Sequence, residues 1–182
     1  MSKLYVLSGP SGVGKDTVLG RITGEANIKK TVSVTTRQPR QGEVDGTHYH
    51  FVTKEKFDDM VKDNEFLEYA KVHDNYYGTR ISEVNETLDA GNDLILAIDV
   101  QGGVSIKKIM PEAVLVFLLP PSFEELANRL SSRGTESEDS LKIRLENAKR
   151  ELGFADSYDY NIVNDTVENA GKKLKEIIEN GR

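Results

Sequence analysis

Apolar residues in this chain are grouped in short runs, and three of the runs have the character of buried strands. Residues 4–8, 93–99 and 113–119 are near-continuous stretches dominated by leucine, isoleucine and valine. Strands buried on both faces of a parallel sheet have this pattern, whereas strands with one solvated face alternate apolar and polar residues. The three runs therefore predict the centre of a parallel sheet.

Helical patterns lie between and after these runs. Helices are predicted from Gly14 onward, over 82–91 and over 101–110. A last strand is expected within 158–165, followed by a charged helix over 166–179. Strands that alternate with helices favour right-handed crossovers. The pattern thus predicts an α/β fold, a doubly wound parallel sheet flanked by helices.

Two segments interrupt this alternation. Residues 31–79 are rich in threonine, tyrosine, phenylalanine and turn residues, with a helical period only near 53–63. This composition predicts a mixed, mainly antiparallel insert at the edge of the sheet. Residues 122–152 form two charged helical stretches joined by a polar segment, and the first opens with capping-box spacing at Ser122. They are interpreted as a mobile helical lid.

The length is consistent with one domain in three parts. A chain of 182 residues is in the size range of a single domain with its own core. We expect a core made of residues 1–32, 80–121 and 153–182. An insert, residues 33–79, and a lid, residues 122–152, would interrupt this core.

Composition excludes several classes of function. The sequence contains no cysteine, so disulfides, thiol catalysis and cysteine-based zinc sites are excluded. The net charge of −6 disfavours non-specific binding to nucleic acid or to an anionic membrane. The first residues lack the apolar length of a signal peptide, and no run approaches the ~20 apolar residues of a membrane span. We therefore expect a cytoplasmic protein without nucleic-acid or membrane partners.

The stretch GPSGVGKDT has the spacing of a phosphate-binding loop. It follows the first predicted strand and opens a helix, which is the context that the G-x-x-x-x-G-K pattern requires. Glycines let backbone N–H groups turn inward, and the helix N-terminus and the lysine add positive charge. A plain strand-to-helix turn is the alternative. The residues predicted to bind a nucleoside triphosphate are Gly9, Pro10, Ser11, Gly12, Val13, Gly14, Lys15, Asp16 and Thr17.

Asp16 stands where such loops usually carry a serine or threonine that holds Mg²⁺. A carboxylate in the first turn of a helix contributes up to ~1 kcal/mol through the helix dipole, and we prefer this interpretation to a water-mediated contact with Mg²⁺. Thr17 supplies the nearest hydroxyl and is a candidate ligand. Asp99 ends an apolar run in the manner of a Walker-B strand, which predicts a contact with Mg²⁺ through water. The alternative for Asp99 is a helix cap.

Two arginines in the insert form a candidate second phosphate site. Arg37 and Arg40 flank a turn fixed by Pro39, so that both guanidinium groups can converge. Two such forks suit a phosphate dianion. A pair of exposed basic residues on a loop is the alternative.

The same stretch resembles guanylate kinase, whose pattern is T-T-R-x-x-R-x-G-E-x-x-G-x-x-Y-x-F. The matching residues are Thr35, Thr36, Arg37, Arg40, Gly42, Glu43, Gly46, Tyr49 and Phe51. Further similarity at 65–70, 75–79, 133–137 and 163–165 extends the resemblance over essentially the whole chain.

The resemblance implies a role for each matched residue. The GMP phosphate would be held by Arg37, Arg40, Tyr49 and Tyr77, and guanine would be read by Ser33, Glu68 and Thr79, with Gly78 and Asp99 completing the substrate site. Guanine presents two adjacent donors that one carboxylate can accept, whereas adenine does not, so polar mismatch supplies selectivity. Ala97 replaces an acidic residue common in the family, which affects how tightly GMP binds.

The resemblance also implies residues for ATP and for phosphoryl transfer. Arg133 and Arg144 would close over the triphosphate, while Asn164 and Asp165 would lie near the adenine. The implied catalytic residues are Lys15, Arg37, Arg133 and Arg144. The activity expected is ATP-dependent phosphorylation of GMP, and of dGMP, to the diphosphate, with Mg²⁺.

Two alternatives stay open. One is a related kinase that acts on another phosphorylated acceptor. The other is a guanylate-kinase-like binding module without catalysis, a class that typically loses the glycine-lysine loop. Gly14 and Lys15 are intact here, which favours the enzyme. No obligate protein partner is evident in the sequence.

Overall fold

Two β-sheets and their flanking helices make up the described part of the chain. The computed structural model describes residues 2–23, 28–72, 74–132 and 138–181, with the backbone alone at 138–140. The strands are β1 (Leu4–Ser8), β2 (Ile28–Lys30), β3 (Val34–Thr35), β4 (His50–Phe51), β5 (Phe66–Val72), β6 (Asn75–Arg80), β7 (Asp93–Ala97), β8 (Val114–Leu119) and β9 (Tyr160–Val163). The helices are α1 (Lys15–Ile22), α2 (Lys54–Lys62), α3 (Ile81–Asp89), α4 (Val100–Ile109), α5 (Phe123–Ser131), α6 (Glu138–Leu152) and α7 (Val167–Asn180).

The larger sheet is parallel and has five strands in the order β2-β7-β1-β8-β9. Its three central strands are the three apolar runs of the sequence, and β1 is buried along its whole length. One apolar cluster packs α1, α5 and α7 on one face, and a second packs α3 and α4 on the other. The predicted doubly wound sheet flanked by helices is confirmed.

The smaller sheet has four strands in the order β4-β3-β6-β5. β6 pairs antiparallel with both β3 and β5, while β3 and β4 are parallel. α2 covers this sheet and buries Phe57 and Met60 against Val34, in a small core of its own. A mixed, mainly antiparallel insert is therefore present, with the predicted helix inside it.

Two details differ from the sequence prediction. β2 was not predicted, because it has three residues, of which one is buried and two are exposed lysines. The strand predicted at 93–99 ends at Ala97 because Asp99 is already the N-cap of α4. Such short or capped segments carry little hydrophobic periodicity.

The segment 122–152 contains the two predicted helices. Ser122 caps α5, since its hydroxyl accepts from the Glu125 N–H at 3.0 Å, as the spacing predicts. The joining segment 133–137, which includes the predicted catalytic Arg133, lies outside the described residues. In the described ranges no helix has the length and apolar character needed to cross a membrane.

Glu83 contacts both of the segments that connect the smaller sheet to the larger one. Its Oε1 accepts from the Val32 N–H at 2.6 Å, and its Oε2 lies 3.7 Å from the Arg80 guanidinium. Arg80 in turn lies 2.7 Å from Nε2 of His50 on β4. One carboxylate on α3 therefore links both connections and fixes the smaller sheet relative to the larger one.

Candidate active site between the two sheets

The loop between β1 and α1 takes its shape from glycines. Gly14 is the N-cap of α1 with φ of 97°, in the left-handed region that favours glycine. A Cβ atom at Gly9 would lie 2.5 Å from the carbonyl oxygen of Leu118, closer than any side chain tolerates. The two glycines of the sequence pattern are thus required by backbone geometry in this fold.

Lys15 folds back over this loop. It is the first residue of α1, and its Nζ donates to the carbonyl oxygen of Gly9 at 2.7 Å. Burial lowers the pKa of Lys15, while the negative charges of Glu151, Asp16 and Asp99 raise it. The loop therefore holds a partly desolvated cation at the N-terminus of a helix, an arrangement suited to an anion.

Asn164 supports the loop from behind. Its side chain is buried and its Nδ2 donates to the carbonyl oxygen of Val13 at 2.8 Å, while its own N–H bonds to Leu119 at 2.8 Å. Asp165 is exposed and accepts from the Thr166 N–H at the start of α7. Both residues thus have structural partners, and their proximity to adenine stays a prediction.

The candidate metal ligands lie on different parts of this edge. Oδ1 of Asp99 accepts from the Gly102 N–H at 2.9 Å, so Asp99 is a helix cap and also lines the cleft described below. Asp16 points outward with 87% of its side chain exposed, and its Oδ1 lies 3.9 Å from Nζ of Lys30. Thr17 is also exposed. In the described ranges no group of three potential ligands forms a metal site.

Arg37 is held in place by a carboxylate that sequence reasoning did not assign to the site. Its guanidinium donates to Oε1 of Glu43 at 2.7 Å, and the other oxygen of Glu43 accepts from the Arg40 N–H at 2.7 Å. The hydrogen bond with Arg37, followed by that with Arg40, lowers the pKa of Glu43 to about 2. The Arg40 side chain itself is exposed. Glu43 was visible in the sequence only as a fixed position of the family pattern.

Aromatic rings surround the Arg37 guanidinium. Its central carbon lies 5.4 Å from the ring centre of Tyr49 and 5.8 Å from that of Phe51. Tyr49 and Tyr77 pack edge to face at 6.0 Å. Hydrogen bonds with Glu43 and with Tyr77 raise the pKa of Arg37. The arginine is thereby oriented before any ligand reaches it.

Glu68 on β5 is the carboxylate proposed to read a base. Its Oε1 accepts from the Thr79 hydroxyl at 2.8 Å, across the β5–β6 pair. Burial raises the pKa of Glu68 to about 7; the negative charge of Asp99 adds to the shift, and the Thr79 bond opposes it. Thr79 is fully buried. It therefore acts on Glu68 from behind and orients the carboxylate.

A cleft joins the loop to the smaller sheet. Its lining residues come from both sheets and from α6: Gly9, Ser11, Lys15, Ser33, Tyr49, Glu68, Ala70, Val72, Tyr77, Gly78, Ala97, Ile98, Asp99 and Glu151. Nine of the residues predicted from the sequence are thus brought together: Gly9, Ser11, Lys15, Ser33, Tyr49, Glu68, Tyr77, Gly78 and Asp99. Arg37, Arg40, Thr79, Asn164 and Asp165 do not line it.

Helix α6 reaches the same loop through two charged side chains. Oε2 of Glu151 accepts from the Ser11 N–H at 3.2 Å, and the Arg144 guanidinium donates to the Ser11 hydroxyl at 3.2 Å. Arg144 therefore contacts the loop, and its closure over a triphosphate stays a prediction. Glu151 was missed, because nothing distinguishes it in a helix with many charges.

A doubly wound sheet with a glycine-lysine loop, and a second arginine-tyrosine site across one cleft, defines a P-loop phosphotransferase that acts on a phosphorylated acceptor. A family model described as guanylate kinase matches residues 1–181. The chain belongs to the guanylate kinase family.

Individual relatives agree with this assignment. The guanylate kinase of Clostridium tetani is 50% identical over 175 residues, which is 96% of this chain and 84% of the relative. That of Lactococcus lactis is 50% identical over 177 residues, covering 97% and 86% of the two chains. The crystal structure of guanylate kinase from Anaplasma phagocytophilum superposes with a TM-score of 0.78 at 33% identity, covering 98% of this chain and 85% of the other.

Proposed function

We propose that the chain transfers the γ-phosphoryl group of ATP to GMP, giving ADP and GDP. The observation that carries this proposal is the shared cleft, in which Lys15 of the phosphate loop and Glu68 and Tyr77 of the smaller sheet line one space. Both substrates can therefore meet in one space. The alternative of a non-catalytic module has no support, because the loop glycines and Lys15 keep their geometry.

The two ends of the cleft would hold the two phosphate groups. Backbone N–H groups at the turn into α1 and Nζ of Lys15 would bind the ATP phosphates. Tyr49 and Tyr77, which line the cleft, would bind the GMP phosphate together with Arg37 and Arg40, which lie outside its lining. Phosphoryl transfer passes through a loose transition state that depends on alignment and charge stabilisation more than on acid–base catalysis. The preorganised Arg37 supports this assignment, because its partners already fix its orientation.

Guanine would be read by Glu68 and Ser33, beside the backbone of Gly78, with Thr79 contributing by orienting Glu68. An ionised Glu68 can accept from both N1–H and the exocyclic amine of guanine, while Thr79 holds its other side. Ala97 also lines the cleft and offers no carboxylate there. Glu68 and Asp99 are then the acidic residues of the smaller sheet's side and the larger sheet's side of the cleft, and selectivity should be sensitive to the charge of Glu68.

Mg²⁺ would enter with the ATP phosphates. This ion is commonly bound by one or two protein carboxylates together with substrate phosphates and water, so a dedicated protein cage is not required. Asp99 fits this need, because its carboxylate lies at the carboxyl edge of the sheet and lines the cleft. Contact through water, with Thr17 as a further candidate ligand, is the arrangement we propose. The ion would supply charge stabilisation to the transferring group.

The three-part organisation belongs to the same proposal. Residues 33–79 would be the GMP-binding insert and residues 122–152 the lid. The lid would bring Arg144 and Arg133 over the triphosphate and exclude water, with Asn164 and Asp165 near the adenine. The contact between Arg144 and Ser11 supports this arrangement, since it already brings α6 to the loop.

A coupled assay of ADP release with a panel of nucleoside monophosphates tests the function. We expect rapid turnover with GMP, slower turnover with dGMP, and at least about 100-fold lower kcat/KM with AMP, because a site built to hydrogen-bond one base rejects another strongly. Equal activity with AMP and GMP, or no activity with either, would contradict the proposal.

The pH dependence of GMP use should report the ionisation of Glu68. Guanine would bind the ionised carboxylate, so protonation of Glu68 competes with GMP binding. Because the pKa of Glu68 is raised to about 7, KM for GMP should be constant at pH values above 7. It should rise as the pH falls below 7. At one pH unit below the pKa the rise should be about tenfold. The GMP phosphate also titrates near pH 6, so the same profile is measured for Glu68→Gln. The rise in KM that wild type shows beyond the rise in Glu68→Gln is the contribution of Glu68. If KM rises equally steeply in both proteins, Glu68 does not bind guanine as an ionised carboxylate.

A further inference from the structure

Ser11 is the point where helix α6 contacts the phosphate loop. Arg144 and Glu151 are seven residues apart, two helical turns, and so lie on one face of α6. Both contact Ser11, one through the hydroxyl and the other through the backbone N–H, each at 3.2 Å. Ser11 is thus contacted by one cationic and one anionic side chain of the same helix.

Glu151 accepts a hydrogen bond from a backbone N–H of the loop, as a phosphate oxygen could. A carboxylate oxygen on a backbone N–H is chemically equivalent to a phosphate oxygen on that donor. Glu151 also contributes the largest favourable charge interaction with Lys15, ahead of Asp16 and Asp99. Its side chain lines the cleft beside both Ser11 and Lys15.

We infer that Glu151 is an internal anion that competes with nucleotide phosphate for the loop, so that nucleotide binding displaces its carboxylate from Ser11. The inference rests on the proposed function, because it takes the ATP phosphates to bind at residues 9–17. One N–H cannot serve both acceptors at full strength, and two neighbouring anions repel. Glu151 therefore withdraws when a polyphosphate binds.

Withdrawal of Glu151 has a consequence for Arg144. Both residues lie on α6, so a shift of the helix that removes the carboxylate from Ser11 also changes the guanidinium contact with the Ser11 hydroxyl. Burial raises the pKa of Glu151. The ionised carboxylate is therefore partly desolvated in this position, which favours its departure from Ser11. Glu151 is a positioning residue in this scheme: it acts on the loop and on Arg144, not on the reacting atoms.

The test compares ADP and GMP affinity in Glu151→Gln by titration calorimetry. Removing one partly exposed negative charge beside the loop should strengthen ADP binding by about two- to fivefold, while GMP affinity stays unchanged. Glu146→Gln is the matched control, since Glu146 is exposed on the same helix and its loss changes the net charge equally. A purely structural role for Glu151 would weaken ADP binding or alter both affinities together.

A second variant, Glu151→Ala, removes the acceptor as well as the charge and should change ADP affinity in the same direction. Thermal unfolding establishes that each variant is folded. If folded Glu151→Gln and Glu151→Ala bind ADP no more tightly than wild type, the inference is overturned. If wild type itself fails to bind ADP, the failure lies with the proposed function and not with Glu151.

Discussion

Lys15→Ala should lower kcat by at least about 10²- to 10³-fold, since this is the cost of losing one preorganised donor to the charge that develops in a transition state. Lys15 is the cation that α1 places over the loop, with Nζ on the carbonyl oxygen of Gly9 at 2.7 Å. The burial that lowers its pKa also strengthens its field on a phosphate group. The measurement is steady-state turnover with ATP and GMP.

The control for Lys15 is Lys56→Ala, an exposed lysine on α2. It removes an equal charge far from the loop and should leave kcat within about twofold, because exposed charges interact weakly. GMP affinity should be preserved in Lys15→Ala, since the GMP site is built from the smaller sheet. A loss of turnover below tenfold would show that Lys15 does not stabilise the transferring group.

Glu68→Gln should reduce kcat/KM for GMP by about 100-fold or more, because a buried polar mismatch is costly. The glutamine keeps one acceptor but places an amide donor against a second donor of guanine. The protein should remain folded, since the variant removes a carboxylate whose charge is opposed by burial. Titration with GMP and with ADP separates the two sites, and ADP affinity should not change.

Glu55→Gln supplies the matched control for Glu68→Gln. Glu55 is an exposed carboxylate in the first turn of α2, within the same insert. It should retain wild-type kcat/KM for GMP. If Glu68→Gln also retains it, or if the variant loses ADP and GMP affinity equally, then Glu68 does not read guanine.

The parallel sheet could be predicted because its central strands are buried on both faces. β1, β7 and β8 consist of continuous apolar residues, and such runs have few other structural interpretations. β2 was missed because an edge strand of three residues with two exposed lysines has no periodic signal. The end of β7 was misplaced by two residues, since Asp99 caps the next helix. Local pattern thus predicts the centre of the sheet better than its margins.

The candidate site, like the sheet, could be predicted from the sequence only in part. The phosphate loop is contiguous in sequence, so its glycines and Lys15 were found directly. Glu43, Glu151 and Asn164 were missed or given other roles, because each acts through a partner that only folding supplies. Glu151 and Asn164 bond to loop residues separated from them by 140 and 151 positions. Contacts of this kind leave no spacing signature in a single sequence.

Hydrogen bonds join residues near the beginning of the described chain to residues near its end. The side-chain amide of Asn164 donates to the carbonyl oxygen of Val13. The Tyr5 hydroxyl donates to the carbonyl oxygen of Ile178 in α7 at 3.0 Å. During synthesis, the nucleotide pocket therefore stays unfinished until residues 160–180 have left the ribosome and packed against the first strand and helix. A nascent chain of this protein should become able to retain ATP only at that late stage.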